Sequence, residues 1–203
     1  MNTAQALAQF KQIEKLKGNM RLAAEGWLTK FQTLLATILS ARSLDETTIK
    51  VCIVLFQKYP DSKKLAAASQ KEIERIIHSV NFYKNKSKHI IACAKQLQGK
   101  YNGEPPANYR QLIELPGVGN KTANVFLSEQ GHNTIGVDTH VYYISRYLEW
   151  SASKKLEDVE KDLKKLFPEK EWRALNPTLV KFGKKYTSRR EKNNILDKIK
   201  KIK

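Results

Sequence analysis

Cysteine is nearly absent from this 203-residue sequence: Cys52 and Cys93 are the only two, each inside an apolar pattern. They form no CxxC pair and cannot assemble a four-ligand metal cluster, so two buried, reduced thiols are expected. Glycine is also sparse, at nine residues, while 41% of the chain is hydrophobic. That balance excludes a disordered chain and favours a folded globule. No apolar run approaches the length of a membrane span, and the opening residues are too polar for a signal peptide, so the expected location is cytoplasmic, on the nucleoid if the source is prokaryotic. Acidic residues are few beside basic ones: 20 Asp and Glu stand against 37 Lys and Arg, a formal charge of +17. A field of that strength favours a polyanion as partner, most often nucleic acid, without choosing among DNA, RNA, ribosome and acidic membrane.

What is present is helical periodicity nearly throughout. Leu7, Phe10, Ile13 and Leu16 step by three before Gly18-Asn19. Trp27, Leu28, Phe31, Leu34, Leu35, Ile38 and Leu39 form a wide stripe suited to a central core helix. The run "VCIVLF" could be a strand, but Ile49, Ile53 and Phe56 keep helical spacing and predict a buried helix. Ser69 with Glu72, and Asn108 with Gln111, read as capping boxes. Pro116 ends one helix, and another should run from about Asn120 to Gln130 with Gly131 past its end. Further helices are expected after Asp138, from about Leu156 to Leu166 and from Glu171 to Lys185. The fold class is therefore all-α, with short connections. Residues 181–203 hold ten Lys or Arg and two acids. Ile195, Ile199 and Ile202 share one helical face there, which favours a short docked helix over a free basic arm.

The chemistry concentrates at "LPGVGNKTA", residues 115–123. Glycines there suit a tight turn, and the unpaired first amides of the following helix offer donors to a phosphate oxygen. A P-loop is excluded, because Asn120 precedes the lysine where that pattern needs glycine, and a helix precedes the turn where it needs a strand. Lys121 falls in the first helical turn, where a cation opposes the macrodipole by ~0.3–1 kcal/mol. The same environment favours the neutral amine, a nucleophile able to form a Schiff base. Against this stands the plain alternative that one of 29 lysines is surface charge. A carboxylate partner is offered by "GVDTHV": a helix of ten residues climbs ~15 Å and seven extended residues return up to ~23 Å, so Asp138 can come back beside Lys121. Taken alone, Asp138 reads as an N-cap and His140 as a structural hydrogen-bonding residue.

With "LPGVGNKTANVFLS" followed by "VDTHV", and with "LLATILSARSLD", "VNFYKNKSKHI" and "KFGKKYTS" elsewhere, the chain resembles the endonuclease III branch of the helix-hairpin-helix DNA glycosylases. The resemblance implies a two-domain, all-α helix-hairpin-helix DNA glycosylase fold with a DNA-binding cleft between the domains. Residues 25–133 would form a six-helix barrel domain, and residues 1–24 with 134–203 the second. It implies a bifunctional glycosylase and abasic-site lyase that removes oxidised pyrimidines from double-stranded DNA, with Lys121 as nucleophile and Asp138 as the assisting carboxylate, working as a monomer without membrane attachment. Gly117, Val118 and Gly119 would hold a phosphate, with Lys84 a further DNA contact. The carbonyls of Ile113, Leu115 and Val118 would form a structural, non-catalytic cation site.

Arg42 and Phe82 occupy places where relatives present glutamine and leucine to the gap left by an extruded nucleotide. For Phe82, a wedge into the base stack and simple core packing both stand. The family's [4Fe-4S] cluster lacks its cysteines here: "YTS" stands in place of "YTC" and no cysteine follows. No cofactor is then required, and the tail helix would pack in the cluster's place. Competing readings are a non-catalytic DNA-gripping module, and the same scaffold acting on 8-oxoguanine or mismatched bases.

Overall fold

A computed structural model describes residues 1–202 as helices joined by turns, with no strand among the described residues. In chain order the helices are α1 (Thr3–Leu16), α2 (Lys30–Ser40), α3 (Asp45–Lys58), α4 (Ser62–Ala66), α5 (Gln70–Ile77) and α6 (Tyr83–Lys100). There follow α7 (Tyr109–Leu112), α8 (Asn120–Glu129), α9 (Thr139–Tyr147), α10 (Leu156–Leu166), α11 (Trp172–Lys185) and α12 (Arg189–Lys200). A 3₁₀ turn at Glu169–Glu171 leads into α11. The helices fall into two compact units, one continuous, Arg21–Gln130, the other built from Met1–Met20 and Gly131–Lys203.

In the continuous unit, α2 is the central element: every residue from Phe31 to Leu39 is buried. Around it pack Leu55 of α3, Ile73 and Ile77 of α5, Ile90 and Leu97 of α6, and Phe126 of α8. Each such side chain removed from water contributes roughly 1.5–3 kcal/mol. The helix starts later than its apolar stripe. Thr29 accepts from the Gln32 amide at 3.1 Å and begins α2 there, because a hydroxyl cap satisfies a first-turn donor that Trp27 and Leu28 could not. Leu28 is left 94% exposed, and Trp27 turns its indole N–H back to the Ala23 carbonyl.

The "VCIVLF" segment is helical, but its buried face is Thr48, Val51, Cys52, Leu55 and Phe56. Ile53 and Val54 point outward, so the face is rotated from the one its Ile49–Ile53 spacing suggests. Of the two capping boxes, Asn108 supplies its half, accepting from the Gln111 amide at 3.2 Å. Ser69 starts α5 without a side-chain cap bond. Glu72 is drawn away from the box by Lys58 and by the Tyr59 hydroxyl, and these two donors hold its carboxyl below the usual carboxylate range.

In the unit built from both chain ends, Phe10, Trp150 and Phe167 meet edge to face, with centroids 4.9–6.5 Å apart. Val141, Ile144 and Leu148 of α9 and Leu179 and Phe182 of α11 complete this core. The basic tail is a docked helix: Ser188 caps α12, and Leu196 and Ile199 are buried, with Ile195 and Ile202 packed at the margin. Its last carbonyls are captured by α1. Gln5 donates to the Ile202 carbonyl at 3.0 Å, and the fully buried Gln9 donates to Lys200 and Ile202 while accepting from the Trp150 indole at 2.7 Å.

Candidate active site and nucleic-acid interface

The hairpin between α7 and α8 is anchored from inside. Leu115 and Val118 are buried, and the Val118 amide donates to the Leu115 carbonyl at 3.0 Å. The two glycines have different reasons to be there. Gly117 lies at φ +84°, and a Cβ would stand 3.0 Å from the His89 Cβ and 3.2 Å from the Ile38 Cγ2, so both backbone and space demand glycine. Gly119 is extended, at φ −100° and ψ −178°, so of the two hairpin glycines only Gly117 uses a positive φ. Among the described residues, nothing beyond its own chain neighbours and helix backbone lies within 4 Å of where a Gly119 Cβ would be. Packing within the chain therefore does not require glycine at 119; its smallness leaves the start of α8 open to close approach by another backbone.

Gly119 is the N-cap of α8 and can give its first amides no side-chain cap. Lys121 is the second residue of that helix. It is half-buried, while every position from Thr122 to Ser128 is buried. A rigid, packed helix thus carries this one amine at its positive end. In the turn before it, the Ile113, Leu115 and Val118 carbonyls are uncharged hard donors of a kind that suits a small cation, although Leu115 already accepts one amide.

Asp138 is the N-cap of α9. Its Oδ1 alone accepts the amides of both His140 and Val141, each at 2.9 Å, so the cap leaves Oδ2 uncommitted. His140 is seated against α11 at Gly183. A Cβ on Gly183 would lie 2.2 Å from the His140 Nδ1 and 2.9 Å from its Cγ. Glycine inside a helix costs about 1 kcal/mol, and here the ring fills the room it creates. Gly183→Ala is expected to lower stability by roughly 1–3 kcal/mol through overpacking. Thermal unfolding checks this; a melting temperature equal to that of the parent would mean the ring swings aside without cost.

Arg42 and Phe82 are two of four non-glycine residues at positive φ among the described residues, at 56° and 59°. Such conformations cost of order 1–3 kcal/mol and gather at functional sites. Phe82 is 58% exposed, which removes core packing as its explanation, and the Arg42 guanidinium lies 5.9 Å from its ring centroid. Lys84 follows, exposed, in the first turn of α6.

Lys86 is the functional-looking residue that sequence reasoning passed over. It is 6% exposed, and burial pushes its ammonium down to about 8, against which the oxygens it donates to favour the charged form. One signal was available: Lys86 stands four, seven and eleven residues before Ile90, Cys93 and Leu97, at a core position of α6. Cys52 and Cys93 are both in the continuous unit, and burial pushes each thiol up to about 12. Two inert thiols do not fit a four-thiolate cluster.

Residues 35–169 match the HhH-GPD superfamily base excision DNA repair protein family. The chain belongs to that family. Among curated relatives, endonuclease III of Synechocystis sp. is 39% identical over 158 residues, covering 77% of this chain and 72% of the relative. Endonuclease III of Thermotoga maritima is 37% identical over 156 residues, covering 76% and 73%. A solved structure of a trapped endonuclease III–DNA covalent intermediate superposes with a TM-score of 0.85 at 33% identity, covering 93% of this chain and 89% of that one. This HhH-GPD chain is thus an endonuclease III-like base excision repair DNA glycosylase with the all-α fold of that group. Among the described residues no helix is long and apolar enough to cross a membrane.

Proposed function

We propose that this chain is a bifunctional DNA glycosylase and abasic-site lyase that removes oxidised pyrimidines from duplex DNA and nicks the strand through a lysine imine. The observation that carries the reading is the setting of Lys121: a half-buried lysine in the first turn of a helix that is buried from Thr122 to Ser128, directly behind a hairpin opened by Gly119. A structural relative is an endonuclease III trapped covalently on DNA, which supports a covalent route.

A base stacked in a duplex hides its C1′ carbon, so the nucleotide first leaves the stack. The Lys121 amine forms a bond to C1′ as the base departs with the electron pair of the glycosidic bond and takes up a proton. Loss of the amine proton and opening of the C1′–O4′ bond give the imine. The imine acidifies the C2′ hydrogens. Removal of one lets the C3′–O3′ bond break, and the 3′ phosphate leaves. Asp138, through the Oδ2 that its cap leaves unused, stabilises positive charge on the opening sugar and helps Lys121 lose its proton.

Gly117, Val118 and Gly119 place backbone amides on a phosphate, and the net charge of +17 supplies sequence-independent attraction. Arg42, Phe82 and Lys84 contact the duplex, Phe82 as a wedge and Arg42 against the unpaired base. A cation held by the hairpin carbonyls would stiffen that turn and takes no part in the chemistry. No iron–sulfur cluster is needed, because α12 staples its unit through Gln5, Gln9, Leu196 and Ile199.

Borohydride reduction during reaction tests this. Cross-links are expected on duplexes carrying an abasic site or thymine glycol, and weaker ones on 8-oxoguanine. Strong trapping on 8-oxoguanine alone would reassign the substrate. Tight binding without any cross-link on all three would make the chain a DNA-gripping module instead.

A further inference from the structure

Arg42 and Phe82 lie in separate turns, one after α2 and one before α6, yet a single amino group joins those turns. The Lys86 Nζ donates to the Leu39 and Ala41 carbonyls, each at 2.7 Å, and to the Ser43 Oγ at 2.9 Å. Those carbonyls close α2, at the negative end of its dipole, where a cation is the matching cap. Ala41 and Ser43 flank Arg42, so the ammonium grips the turn on both sides of that residue.

The other turn is tied to the same point. The Asn81 amide donates to the Ser43 Oγ at 3.0 Å, and the Asn81 side-chain amide donates to the Arg42 carbonyl. One residue on, the Phe82 carbonyl accepts the backbone N–H of Lys86 itself at 3.0 Å. A closed ring of hydrogen bonds therefore runs from Lys86 through the Arg42 turn to Asn81 and Phe82 and back to Lys86. Two side chains at strained φ stand on this ring, within cation–π distance of each other.

We propose that Lys86 is a positioning residue that locks Arg42 and Phe82 into one two-pronged insert, so that they act on damaged DNA as a coupled pair. The proposal rests on the reading that both residues meet the duplex. A ring held in fixed register to a guanidinium can fill the gap left by an extruded nucleotide in one step, whereas two independent turns would each bear their own ordering cost.

A double-mutant cycle tests it. Affinity would be measured for an undamaged duplex and for one carrying a tetrahydrofuran abasic-site analogue, using the parent, Arg42→Ala, Phe82→Ala and the double variant. The cycle is repeated with Lys86→Met, and again with Asn81→Ala, which cuts the link between turns should the methionine variant fail to fold. In the parent, the effects on the analogue duplex are expected to depart from multiplicativity by roughly 3- to 100-fold. With Lys86→Met or Asn81→Ala that factor should fall towards one, while affinity for undamaged duplex stays unchanged. The same coupling in both backgrounds, or none in the parent, would overturn the proposal while leaving the DNA contacts standing. An equal loss on both duplexes would reduce Lys86 to a structural prop. If neither Arg42→Ala nor Phe82→Ala weakens binding to the analogue, the underlying reading falls, and the coupled insert with it.

Discussion

Lys121→Gln is expected to abolish the borohydride-trapped cross-link to an abasic-site duplex and to lower strand cleavage by a factor on the order of 10⁴ or more, as loss of a covalent nucleophile does elsewhere. Glutamine keeps most of the side-chain length and removes only the amine chemistry. Stability should hardly move. Lys121 sits where the α8 dipole disfavours a cation, so the replacement is expected to leave the melting temperature within about 4 °C of the parent. Binding to a tetrahydrofuran analogue should persist, because on the proposed function the hairpin amides and the basic surface supply that affinity. A variant that still forms the reduced cross-link in full would assign the imine to another amine. A variant that has lost binding as well would point to a grip residue, not a nucleophile.

Asp138→Asn is expected to slow base release about 10²–10⁴-fold while leaving the fold intact. Two roles of one carboxyl are separable here. As a cap, Asp138 uses only Oδ1, which accepts the His140 and Val141 amides at 2.9 Å, and asparagine offers an equivalent oxygen. As a charge, it cannot be replaced by an amide. Asp138→Ala removes both, and should add a stability loss of ~1 kcal/mol to the same loss of rate. Single-turnover rates beside thermal unfolding give the comparison. If the asparagine variant keeps full rate and only the alanine variant falters, Asp138 is a cap and nothing more.

The parts of the molecule that the sequence disclosed are those governed by local rules. The start of α8 at Asn120, the stop before Gly131 at φ +94°, and the Asp138 cap all follow from residues within four positions of one another. The docking of α12 was readable for the same reason, since its apolar face repeats on a helical period. What stayed hidden depends on partners distant along the chain. Glu72 reads as half of a capping box until Lys58 and Tyr59 arrive from another helix. Leu28 is the local exception: it reads as core, but the Thr29 cap beside it shifts the start of α2. The spacing of Lys86 puts it on the core face of α6, but its partners, the Leu39 and Ala41 carbonyls and the Ser43 hydroxyl, come from more than forty residues away. At the hairpin, the glycines announced a turn, but only the coordinates separate Gly117, which the fold requires, from Gly119, which it does not.

The routing of the chain has a bearing on its birth. Arg21–Gln130 is one uninterrupted stretch whose core cluster is drawn entirely from its own residues, so all of that core is in hand once residue 130 has cleared the ribosome. Helix α1 is made earlier, yet its buried Phe10 and Ile13 find their neighbours only in residues synthesised after 130, and Gln5 and Gln9 wait for carbonyls near the very end. During translation α1 is therefore an apolar surface without a home, and a chain cut short before α12 would leave Gln5 and Gln9 without the carbonyls they cap.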